Sequence, residues 1–131
     1  MNGRIGRARE CILVVDDCQD NLFLMQLILE NQDYRVEIAD SGAEALRKMN
    51  CQKFDLILLD LMMPQMNGYE VIKYIRNDNL PFVPIFLVTA NNYVTIQQAV
   101  TAGANGVIYK PLDINILLSE VAKVLDIPAT S

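Results

Sequence analysis

Residues 54–60 read Phe54-Asp55-Leu56-Ile57-Leu58-Leu59-Asp60. Four consecutive aliphatic residues closed by an acid leave no polar face. The run is therefore expected as a short strand buried on both sides, the kind found in parallel sheets with helices on each face. Two other stretches repeat the design: Ile12-Leu13-Val14-Val15-Asp16, and Pro84-Ile85-Phe86-Leu87-Val88-Thr89. With weaker runs at 34–39 and 106–109, the strands predicted are 12–16, 34–39, 54–60, 84–89 and 106–109. Amphipathic stretches between them predict helices over 21–31, 42–50, 68–76, 94–102 and 114–124, opened or closed by Asn, Asp, Ser or Gly. Five strand–helix pairs in alternation specify an α/β fold with one parallel sheet.

The chain has 131 residues, about the size of one domain, and 52% of them are hydrophobic, enough for a single core. Its net charge of -5 argues against a general binder of nucleic acid or of acidic membranes, because polyanions are held by clustered Lys and Arg. The basic patch Arg4, Arg7, Arg9 lies in a stretch without apolar periodicity, and residues 1–10 are expected as a disordered leader. Residues 11–126 are expected as the folded domain and 127–131 as a short tail. The three cysteines form no CxxC pair, and the chain contains no His. A reducing, cytoplasmic setting is expected, while Ser-His-Asp and Cys-His catalysis and His-ligated zinc are excluded. No apolar run approaches the about 18–20 residues of a membrane span, and no secretory signal is evident.

Parallel strands direct their carboxyl ends to one edge, where open sheets of this class bind ligands. Asp16 and Asp17 end the first strand, Asp60 the third, Thr89 the fourth and Lys110 the fifth. In the strand order 2-1-3-4-5 these side chains converge. Each alone has an ordinary explanation as a turn residue, helix cap or solvated charge. Together they require something more, because carboxylates about 4 Å apart repel by about 4 kcal/mol per pair at an effective dielectric of roughly 20. Lys110 alone would not offset three acids. Carboxylate oxygens suit Mg²⁺, which would hold Asp60 ionised as a nucleophile, with Lys110 and the Thr89 hydroxyl on the remaining oxygens of a transferring phosphoryl group.

The pair Asp16-Asp17 after Ile12-Leu13-Val14-Val15, the run Asp55 to Pro64 with Asn67-Gly68, Val88-Thr89-Ala90, and Gly103-Ala104 leading to Lys110-Pro111 together resemble the response-regulator receiver domains of two-component signalling, chemotaxis regulators among them. The likeness covers about residues 11–126. It implies a flavodoxin-like five-stranded parallel sheet, order 2-1-3-4-5, with five helices on both faces. It further implies that Asp60 is the phosphoacceptor and that Asp17, Asp60 and the Met62 carbonyl hold Mg²⁺ directly, with Asp16 acting through a water. Thr89 and Lys110 would contact the phosphoryl group, Pro64 and Gly68 would shape the loop after Asp60, and Ala90 would leave room beside Thr89.

The implied donor is a sensor histidine kinase or a histidine phosphotransfer protein, with acetyl phosphate as a small substitute, and the output is an unidentified downstream protein. With no His in the chain, the phosphohistidine is expected on another molecule. The chain would be a free-standing regulator or part of a hybrid histidine kinase, and a monomer or a phosphorylation-dependent dimer.

Three other readings compete. A Mg²⁺-dependent phosphohydrolase of the haloacid-dehalogenase type, with an Asp nucleophile, needs a second acid two residues after the first, where Met62 stands. An FMN binder needs a phosphate loop after the first strand, where the acidic pair and Cys18-Gln19-Asp20 stand. A degenerate, phosphorylation-independent module would have lost the acceptor, a metal acid or the lysine, and none is lost.

The chain also departs from the family's commonest pattern. Three residues before the lysine, where many receivers have Tyr or Phe, it has Val107; an aromatic stands instead at Tyr109, on the same strand face by period-2 alternation. Met62 and Asn91 occupy the positions that line the path of hydrolytic water. In the first helix, Leu24, Leu27 and Ile28 form an apolar stripe suited to the core, and Leu22, Met25 and Leu29 a second one suited to docking of a partner helix.

Overall fold

The computed structural model describes residues 10–77 and 82–126. The leader with Arg4, Arg7 and Arg9 and the tail at 127–131 lie outside the described residues. Five strands alternate with five helices: β1 (Cys11–Val15), α1 (Gln19–Glu30), β2 (Arg35–Ala39), α2 (Gly42–Cys51), β3 (Leu56–Asp60), α3 (Gly68–Asn77), β4 (Ile85–Thr89), α4 (Ile96–Ala102), β5 (Gly106–Tyr109) and α5 (Ile114–Leu125). All neighbouring strands are parallel, in the order β2-β1-β3-β4-β5.

The central strands are apolar throughout because the sheet is covered twice. Leu13, Val15, Ile57, Leu59, Ile85 and Leu87 point to one face, under Ala45 of α2, Val71, Ile72 and Ile75 of α3, and Ala99 of α4. Ile12, Val14, Leu56, Leu58, Phe86 and Val88 point to the other, under Leu22, Met25 and Leu29 of α1 and Leu117 and Val121 of α5. Each fully buried aliphatic side chain contributes about 1.5–3 kcal/mol. Hydrophobic burial thus fixes both layers and holds the strand ends in register.

The structure reverses the expected orientation of α1. Leu22, Met25 and Leu29 face the sheet, whereas Leu24 and Leu27 are 47% and 69% exposed and Ile28 is only partly buried. Both rows are apolar enough to face a core. At the helix start, where α1 begins at Gln19, Asn21 is turned inward to bond Asp16. That orientation carries positions 22, 25 and 29 onto the sheet.

Helix α4 starts two residues later than its pattern suggested. Asn91 folds the preceding loop by accepting from the Tyr93 N–H, and Thr95 then caps the helix in a reciprocal capping box with Gln98. Helix α3 starts where expected, with Asn67 and Glu70 exchanging backbone-to-side-chain bonds of 3.0 Å.

Candidate functional site

Asp16 follows β1 and is almost fully buried, with each oxygen engaged. Its Oδ1 accepts from the Cys18 N–H at 2.9 Å, and its Oδ2 accepts from Asn21 Nδ2 at 3.2 Å and Lys110 Nζ at 3.1 Å. Asp60, 5% exposed at the end of β3, accepts from the Met62 N–H at 3.2 Å and lies 3.7 Å from Lys110 Nζ. Asp17 is exposed. One oxygen from each of the three carboxylates lies within 4.8 Å of the others, so the edge gathers the three acids that the strand ends suggested.

The lysine does not balance this cluster. Burial, and then the charge of Asp16, push the Asp60 carboxyl up to about 6; Lys110 and the Met62 N–H pull the other way and lose. A site short of positive charge, built from hard oxygen donors and open to water on the Asp17 side, has the chemistry that a small divalent cation requires. Asp16, Asp17 and Asp60 are the residues able to hold one.

Thr89 is buried at the end of β4. Its Oγ1 accepts from the Asn91 N–H at 3.0 Å, and its carbonyl accepts from the Lys110 N–H at 2.8 Å, which ties the ends of β4 and β5 together. The Lys110–Pro111 peptide bond is cis.

The loop after Asp60 is shaped by close approach. A Cβ on Gly68 would stand 2.9 Å from both the Asp60 carbonyl oxygen and Leu61 Cα, and the Gly68 N–H donates to the Leu61 carbonyl at 2.8 Å. Gln65, in the left-handed region at φ 68°, turns the chain between Pro64 and Met66. Met62 is exposed, and with Asn91, Tyr93 and Val94 it lines a groove of about 660 Å³ between the loop after Asp60 and the β4–α4 loop.

Sequence reasoning missed Asn21. It stands five residues after Asp16 in the first turn of α1, where a short amide can reach back to the strand end; that spacing was the available signal. The anchoring of Tyr109 was also missed: its hydroxyl donates to the Val94 carbonyl at 2.5 Å.

The family model described as the response regulator receiver domain matches residues 12–122. The chain belongs to this family. Among curated relatives, the receiver is 40% identical over 114 residues to the CAI-1 autoinducer sensor kinase/phosphatase CqsS of Vibrio cholerae, covering 85% of this chain and 17% of that protein. It is 37% identical over 115 residues to the response regulator ArlR of Staphylococcus saprophyticus, covering 87% and 51%. The chain thus spans about half or less of the length of these relatives. Among solved structures, the chemotaxis protein CheY4 of Vibrio cholerae superposes with a TM-score of 0.82 at 33% identity, over 90% of this receiver and 100% of that chain. Membership in this family disfavours the phosphohydrolase alternative. No helix among the described residues is long and apolar enough to cross a membrane.

Proposed function

We propose that this receiver accepts a phosphoryl group on Asp60 from a phosphohistidine lying outside these 131 residues, on a sensor histidine kinase or a phosphotransfer protein, and passes the signal on as a changed partner surface. The observation that carries the reading is the position of the Asp60 carboxylate. It is buried among two further acids, with one lysine in reach and with solvent access on the Asp17 side. An Asp60 oxygen attacks phosphorus; the P–O bond forms as the P–N bond to imidazole breaks, and the nitrogen keeps the electron pair. Lys110 Nζ, already between Asp16 and Asp60, donates to a phosphoryl oxygen, and the Thr89 hydroxyl donates to another.

Asp16, Asp17, Asp60 and, following the family, the Met62 carbonyl would hold Mg²⁺, which when bound supplies charge neutralisation for the acids and the incoming phosphoryl oxygens. Asn21 and the Cys18 N–H keep Asp16 oriented for that role. Cytoplasmic residence follows from this reading, since histidine donors of this kind act there. Residues 11–126 constitute the functional unit, and the downstream partner is a protein that reads the changed surface.

Intact mass spectrometry with acetyl phosphate tests the proposal. One phosphoryl adduct is expected with Mg²⁺, little after chelation, none for Asp60→Asn, and a slowed or uncoupled reaction for Lys110→Ala. Labelling of Asp60→Asn at the wild-type rate would overturn it.

A further inference from the structure

Thr89 and Tyr109 are register partners at the ends of β4 and β5, and a run of three hydrogen bonds joins their side chains around the β4–α4 loop. The Asn91 N–H donates to Thr89 Oγ1 at 3.0 Å, the Val94 N–H donates to the Asn91 carbonyl at 3.3 Å, and the Tyr109 hydroxyl donates to the Val94 carbonyl at 2.5 Å. Both ends of the loop are thereby held by side chains of the sheet. Val94 is itself buried, so its carbonyl needs a partner, and Tyr109, a residue 38% exposed at its strand end, supplies it. Val107, partly buried against the core, has no polar atom with which to do the same.

We propose that the Tyr109 hydroxyl is a positioning group for Thr89, tethering the β4–α4 loop in the resting arrangement in which Thr89 Oγ1 accepts from the loop's own backbone. The inference rests on the reading of Asp60 as the phosphoacceptor. Any movement of the Thr89 side chain toward a phosphoryl oxygen on Asp60 must carry the Asn91 N–H with it or break the bond that Oγ1 accepts from it. The tether at Val94 opposes the movement, so part of the affinity of the site for a phosphoryl group is used to release it.

The test compares wild type with Tyr109→Phe, which removes one hydroxyl and keeps the ring in place. In the free protein, hydrogen exchange of the amides from Asn91 to Thr95 is expected to rise in Tyr109→Phe, while exchange in β1 and β3 stays unchanged. In NMR titrations with Mg²⁺ and beryllofluoride, Tyr109→Phe is expected to bind roughly 2- to 10-fold more tightly, the range that one net hydrogen bond allows. That gain should vanish when both proteins also carry Thr89→Ala, because the tether acts through Thr89. Unchanged loop exchange in Tyr109→Phe would overturn the inference. So would unchanged or weaker beryllofluoride binding, or a gain that persists beside Thr89→Ala. A wild-type protein that binds no beryllofluoride would refute the phosphoacceptor reading instead, and the exchange of the free protein would still decide whether the tether exists.

Discussion

Replacing Asp60 by Asn should stabilise the metal-free protein, and only where the carboxylate is ionised. In the folded chain the Asp60 carboxyl is pushed to about 6 from an ordinary 3.8, mainly by burial and then by Asp16. Because the folded value is the higher one, the advantage of the protonated form is complete below about 3.8 and is lost as the pH rises through about 6. At about 1.4 kcal/mol per pH unit between the two values, ionised Asp60 costs the fold up to about 3 kcal/mol. Water reaching the site from the side of Asp17 screens part of this, leaving about 1–2 kcal/mol. Asn has the same shape and no charge. Urea unfolding in the presence of a chelator should therefore show Asp60→Asn more stable than wild type by about 1–2 kcal/mol at about pH 7.5, and indistinguishable from it at about pH 4. Saturating Mg²⁺ should close the gap at the higher pH, because it binds the folded wild type more strongly than the variant. Equal stabilisation at both pH values, or none at the higher one, would refute the reasoning that the acids are short of positive charge.

The exposed row of α1 offers a second test: Leu24→Ser together with Leu27→Ser should slow phosphotransfer from a histidine-bearing partner by roughly thirtyfold, at about 1 kcal/mol for each of the two truncated contacts, and spare labelling by acetyl phosphate. Equal loss in both assays would mean that the row is not a docking face. Met62→Asn should shorten the lifetime of the phosphoryl group, followed by intact mass after removal of the donor, because a bulky apolar side chain two residues after the acceptor hinders water without ordering it; an unchanged lifetime would leave Met62 without that role. Gly68→Ala forces a Cβ to within 2.9 Å of backbone on both Asp60 and Leu61, so it should cost about 1–3 kcal/mol in urea unfolding and slow phosphorylation as the acceptor loop shifts.

The sheet and its acidic edge were legible because the apolar runs are short, nearly pure, and end abruptly in chemistry-bearing residues. Once β1, β3, β4 and β5 are adjacent and parallel, Asp16, Asp60, Thr89 and Lys110 have nowhere else to go. The facing of α1 was not legible. Leu22, Met25 and Leu29 compete with Leu24, Leu27 and Ile28 on equal terms, and the Asn21–Asp16 bond that accompanies the observed facing is encoded by no apolar periodicity. The start of α4 was misplaced for a related reason: Val94 is apolar and buried, yet it belongs to a loop wound by Asn91 and stopped by Thr95. Period-2 alternation put Val107 and Tyr109 on one face, but it could not say that the Tyr109 hydroxyl would reach the Val94 carbonyl, which depends on the path of that loop.

The most direct test of the account is to locate the phosphoryl group. An aspartyl phosphate is an acyl phosphate, and borohydride reduces it to an alcohol, leaving homoserine in place of the modified aspartate. Wild-type protein labelled with acetyl phosphate and Mg²⁺, reduced and digested, should carry homoserine at position 60, with Asp16 and Asp17 intact. Homoserine at 16 or 17, or a phosphoryl adduct that survives borohydride on a hydroxyl such as Thr89, would contradict the assignment of Asp60 as the acceptor.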